Sequence, residues 1–95
     1  MIVRESVIAN LKKVPRGKVV SYGELASASG TSARAVGRIM SSNERRDVLC
    51  YKVVRSNGEL GEYSGTGSKE EKIRKEGIPI INAKIDMKRH GWKFN

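Results

Sequence analysis

The sequence predicts a mainly α-helical domain with a small β wing, a winged helix-turn-helix. Three observations predict it. Apolar residues recur with a 3.6-residue period near the N-terminus. Two short helical patterns then meet around Gly30, as in a helix-turn-helix. Strand-like residues follow, with an Asn57-Gly58 turn signal, which reads as a β-hairpin wing.

Val3, Val7, Ile8, Leu11 and Val14 define the first helix, over residues 3–14, which Pro15 stops. Pro15-Arg16-Gly17-Lys18 is a turn, and Val19-Val20 a short extended piece. Ser21 and Glu24 form a capping box that opens a second helix over residues 22–29, closed by Gly30. Thr31 or Ser32 caps a third helix over residues 33–42, which stands in the recognition position. Residues 48–54 switch to strand character and place the lone cysteine, Cys50, in a short apolar strand. Residues 61–67 hold too much glycine for a regular element and read as a shaped loop. Residues 68–76 form a short charged helix with Gly77 as its cap, and residues 78–81 and 92–94 are apolar ends docked on the core.

The chain of 95 residues is sized for one domain, residues 1–95, with no internal repeat or linker. A hydrophobic content of 38% supports a folded core. No apolar run approaches the roughly 18–20 residues of a membrane span, and no signal-peptide pattern opens the chain. One cysteine excludes an internal disulfide and points to a reducing compartment: a nucleoid-associated cytoplasmic protein, or a nuclear one in a eukaryote. One Cys and one His make a zinc site a poor fit, and no metal or organic cofactor is expected. A formal charge of +9 and a pI near 10.1 point to a nucleic-acid partner, because neutralised phosphates release counterions. Charge alone gives the class of partner and no mechanism.

Taken singly, the candidate residues have plain structural readings. Arg34 and Arg38 at i, i+4 suit a solvated helix face, and Tyr22 suits half-buried packing. Glu76 suits a surface helix charge, and Cys50 an inert small hydrophobe. Their order along the chain says more. Gly17-Lys18-Val19-Val20-Ser21-Tyr22 is followed by Ala33-Arg34-Ala35-Val36-Gly37, then Asn43, then Leu49-Cys50-Tyr51-Lys52-Val53. The run Gly58-Glu59-Leu60-Gly61-Glu62-Tyr63-Ser64-Gly65 completes the series. Over residues 15–77 this order resembles the C-terminal active-site domain of the O6-alkylguanine-DNA alkyltransferases. Their motifs read Gly-x-Val-x-x-Tyr, Ala-Arg-Ala-Val-Gly, Asn, Pro-Cys-His-Arg-Val and Gly-x-x-Gly-x-Tyr-x-Gly.

The resemblance implies a domain that binds duplex DNA through the minor groove and flips an O6-alkylguanine out of the stack. A cysteine thiolate then takes the alkyl group irreversibly, so each molecule acts once. Extruding the base costs a few kcal/mol, and the gap must be filled. By the same resemblance Arg34 is the finger that fills the gap, and Ala35 and Arg38 share its DNA-contacting helix. Tyr22 turns the flanking phosphate. Asn43, Val53, Tyr63, Ser64 and Gly65 line or close the pocket. Cys50 is the acceptor, and Tyr51 and Glu76 occupy the places of the family's His and Glu, which relay the thiol proton through a water.

The departures lie around the acceptor. Leu49 replaces the family's Pro, Tyr51 its His and Lys52 its Arg, and one residue is missing between Asn43 and Cys50. A free cysteine has a pKa of about 8.5, so a few per cent is thiolate at neutral pH. A phenol, with a reference pKa of about 10, is a poor base there. Loss of the imidazole therefore implies transfer slowed roughly ten- to thirty-fold. Lys52, two residues from Cys50 in an extended segment, is placed to favour the thiolate. The chain is also as short as the alkyltransferase-like proteins, which bind alkylated DNA and hand it to nucleotide excision repair. Those proteins carry Trp or Ala where Cys50 stands. Three functions follow in order: an alkyl-accepting repair protein, a non-catalytic damage sensor, and a winged-helix transcription regulator. The expected partner is double-stranded DNA, bound by a monomer with no membrane involved, and the sensor has nucleotide excision repair proteins as further partners.

Overall fold

The computed structural model describes residues 3–42, 50–61 and 68–94. Among them are five helices and two short strands: α1 Val3–Leu11, β1 Val20–Ser21, α2 Tyr22–Ser29, α3 Ala33–Ser41, β2 Val53–Val54, α4 Lys69–Lys75 and α5 Met87–His90. A single 3-10 turn, Cys50–Lys52, leads into β2. The molecule is therefore mainly helical, and its sheet is a two-stranded parallel pair.

The caps read from sequence form as expected. Ser21 Oγ accepts the amide of Glu24 at 3.0 Å, and Gly30 closes α2 in the left-handed region at φ 71°. Ser32, rather than Thr31, caps α3 by accepting from the Ala35 amide. Ser68 does the same for α4 through the Glu71 amide. These caps satisfy amides that would otherwise lack partners at helix starts. The first helix ends at Leu11, three residues early, but Val14 is still buried. The one-turn helix α5 was not expected from the sequence.

The expected antiparallel hairpin is not the β component observed. Val53 and Val54 pair in parallel with Val20 and Ser21, and the crossover between the strands contains α2 and α3. The Asn57-Gly58 turn does form, closed by the Gly58 amide on the Arg55 carbonyl and the Arg55 amide on Glu59. Its outgoing arm then leaves: Glu59 bridges antiparallel to Lys84 in the C-terminal segment. The reason lies in the residues. A surface hairpin alternates apolar and polar residues, whereas Val53 and Val54 are both fully buried, which requires cover on both faces. Gly58 sits at φ +94°, and a Cβ there would lie 2.2 Å from the Ile85 carbonyl oxygen, so the close approach of turn and tail requires glycine.

The strand pair is a wall between two cores. Val20 and Val53 face a cluster with Val7, Leu11, Leu25, Val36 and Met40 from α1, α2 and α3. Val19 and Val54 face the other way, against Ile73 of α4 and Ile78, Ile80 and Ile85 of the tail. The alternation along Val19-Val20 and Val53-Val54 follows from the two-residue repeat of a strand. The wall fixes where the 3-10 turn just before it, and so Cys50, stands relative to both helical layers.

Candidate functional site

Cys50 is a free, half-buried thiol at the start of the 3-10 turn, not within a strand. It opens onto a cavity of about 830 Å³ whose walls come from three places. Tyr22 and Gly23 supply the start of α2; Arg34, Arg38 and Met40 supply one face of α3. Arg55 to Asn57, with Gly61, supply the turn on the opposite side. Capping fixes the geometry. Ser21 starts α2 at Tyr22, and Ser32 starts α3 just before Arg34, so both side chains are aimed by anchored helix ends. Gly61 lies against Tyr22: a Cβ at this φ +73° residue would sit 3.3 Å from the Tyr22 ring.

Four of the residues singled out from sequence thus meet in one cavity: Tyr22, Arg34, Arg38 and Cys50. Ala35 is half-buried on α3 and outside the lining; its amide serves the Ser32 cap. Val53 does not line the cavity either. Its side chain is fully buried in the core, and only its carbonyl is turned to a functional group, Lys69. Asn43, Tyr63, Ser64 and Gly65 lie outside the described residues.

Tyr51 and Glu76 are brought together. The Tyr51 hydroxyl donates a short hydrogen bond to Glu76 Oε2, and the Gly17 amide donates to Oε1 at 3.0 Å. Lys52 Nζ lies 3.2 Å from the same Oε1, with both side chains no more than 4% exposed. Burial pushes the carboxyl up, but the Tyr51, Gly17 and Lys52 contacts outweigh it and hold the group below the usual carboxylate range. Lys52 also donates to the carbonyls of Val14 and Pro15. The sequence placed Lys52 beside the thiol; the structure places its ammonium on Glu76 instead. The cause is the 3-10 turn, which removes the two-residue alternation of an extended segment.

Lys69 is a buried cation of this region that sequence reasoning passed over. It is 6% exposed and donates to the carbonyls of Val53, at 2.7 Å, and Leu60. Its ammonium stands 5.9 Å from the centroid of the Tyr22 ring. Burial pushes it down to about 8; nearby Cys50 pulls upward against this, and Arg55 pushes further down. The available signal was its helical phase: Lys69 is four residues before the fully buried Ile73, on the inward face of α4. Arg55, Ser56 and Asn57 were missed as cavity walls because the sequence marked them only as a turn. His90, the chain's one histidine, packs its Nδ1 against the Gly17 carbonyl at 3.4 Å.

Among the described residues no helix is long and apolar enough to cross a membrane. The sequence profile of the 6-O-methylguanine DNA methyltransferase DNA-binding domain matches residues 3–78. A bifunctional methyltransferase/endonuclease of Picrophilus torridus is 44% identical over 89 residues, covering 90% of this chain and 29% of that protein. The chain thus spans less than a third of that relative. S. pombe Atl1, solved with damaged DNA containing O6-carboxymethylguanine, superposes with a TM-score of 0.86 at 25% identity, covering 97% of this chain and 95% of Atl1. The O6-methylguanine-DNA methyltransferase of the hyperthermophilic archaeon Pyrococcus kodakaraensis gives a TM-score of 0.72 at 40% identity over 82% of this chain and 47% of its own. The chain belongs to the 6-O-methylguanine DNA methyltransferase family, as a member of its DNA-binding domain group.

Proposed function

We propose that this chain is an alkyl-accepting DNA repair domain, a single winged-helix unit in which Cys50 takes the alkyl group from a flipped O6-alkylguanine. One observation carries the reading: the lone thiol opens into the same cavity as Tyr22, Arg34 and Arg38. The helix pair α2–α3 lies along the minor groove, and Arg34 fills the gap left by the extruded base. Tyr22 turns the flanking phosphate. The Cys50 sulfur bonds to the alkyl carbon while the carbon–O6 bond breaks. The electron pair of that bond goes to O6, and the thiol proton ends on N1, which regenerates guanine. The sulfur keeps the alkyl group, so the reaction runs once per molecule. The damaged DNA in the Atl1 structure and the methyltransferase names of the relatives support this choice of substrate.

A specific observation favours a second reading. The Glu76 carboxylate is held by Tyr51, Gly17 and Lys52, and the residue that reaches it from beside Cys50 is a phenol rather than an imidazole that could draw a proton from the thiol. In that reading the cavity recognises the lesion, Cys50 only lines it, and nucleotide excision repair proteins act next. The opening of the Cys50 thiol into the cavity weighs toward the first reading. Competition binding tests what both share. A duplex with one O6-methylguanine should displace an undamaged duplex of identical sequence; equal affinity would leave neither reading standing.

A further inference from the structure

Among the described residues the cavity wall contains three arginines and no acidic side chain. Arg34 and Arg38 stand exposed on α3, where phosphates are natural partners. Arg55 comes from the opposite wall. Its Cγ is 3.7 Å, and the Tyr22 hydroxyl 3.4 Å, from the point a Cβ on Gly61 would occupy, so both residues converge on Gly61, which lines the cavity together with Cys50. Arg55 and Cys50 line the same cavity, so guanidinium and thiol border one space. Arg55 has one ion-pair contact among the described residues, to Glu59 at 3.9 Å with both side chains about half exposed or more. Such a pair is weak and easily exchanged. A neutral alkyl group on O6 gains nothing from this field, whereas a carboxylate on the same short arm does.

We propose that Arg55 makes the cavity selective for guanines whose O6 substituent is anionic, carboxyalkyl adducts being the chemical class, over neutral adducts of equal size. This deepens the proposed function and rests on it. The duplex phosphates are common to all lesions, so their repulsion cancels between two adducts that differ only in charge.

The test is equilibrium binding on the Cys50→Ser background, which keeps every adduct intact. Four duplexes differ at one guanine: unmodified, O6-methyl, O6-carboxymethyl and the neutral isostere O6-carbamoylmethyl. At low salt the carboxymethyl duplex should bind about fivefold tighter than the carbamoylmethyl duplex, the upper range for an exposed ion pair. Added salt should shrink that ratio. Arg55→Met should bring it to about one, and Arg55→Lys should retain part of it. Arg55 is exposed, so both variants should fold. A wild-type ratio of one, or a ratio that survives Arg55→Met, overturns the proposal. If the unmodified duplex binds as tightly as all three lesions, the reading of the site has failed instead, and the proposal falls with it.

Discussion

Tyr51 decides how the site is wired. In the relay that the resemblance implies, an imidazole links thiol and carboxylate; here the linking position holds a phenol that donates to Glu76. Tyr51→His should restore a base at that place and speed methyl transfer from O6-methylguanine DNA by roughly ten-fold, read as single-turnover rates. An unchanged rate would mean that the backbone around Cys50, not the missing base, limits the reaction. Glu76 yields a prediction on stability. Its carboxyl is held below its unfolded value of 4.5, so its contribution is present above that pH and is lost as pH falls through the lower folded value. Glu76→Gln leaves the Lys52 charge buried without a counter-charge and should cost about 3 kcal/mol at pH 7. Urea unfolding should show that gap narrowing toward pH 3; an equal gap at both pH values would contradict the assigned ion pair.

At the scale of elements, α3 is the part that touches DNA in the proposed reading. Its capped start places Arg34 at the cavity, and Arg38 lies one turn on. Arg34→Ala should weaken lesion binding by about ten-fold while leaving the thermal melt unchanged, since the residue is exposed and unsupported stacking costs a few kcal/mol. Equal loss on damaged and undamaged duplexes would assign Arg34 to phosphates alone. The helices were legible because caps and period are local: Ser21 with Glu24, Gly30 and Ser68 each mark a boundary by their own chemistry. The strand pairing was not legible. A Val-Val run followed by Asn-Gly reads as a hairpin, and only the second core, built from Ile73, Ile78, Ile80 and Ile85, requires Val54 to face inward and pair with β1. The same tertiary override hid Lys69, whose inward phase becomes meaningful only once the Val53 and Leu60 carbonyls are seen above it.

At the scale of the whole molecule, two cores share one thin sheet, and the thiol stands just before β2, packed against the first core. The helical layer of α1, α2 and α3 presents the cavity and its arginines, while α4 and the tail supply Lys69 and Glu76 from the other side. The charge of +9 could be read as a nucleic-acid signal from composition alone, but not the lack of acidic lining among the described residues of the cavity, which depends on how distant segments meet. The ordered motifs identified the family and brought Tyr22, Arg34, Arg38 and Cys50 to one place. They did not place Lys52 correctly, because a 3-10 turn replaced the extended segment that spacing suggested, nor Val53, whose side chain β2 turns into the core. The central claim is that Cys50 is an acceptor. The most direct measurement is the intact mass of the protein after incubation with a duplex carrying one O6-methylguanine. A gain of one methyl group, absent in Cys50→Ser, is the predicted result; an unchanged mass after complete, lesion-selective binding would contradict it.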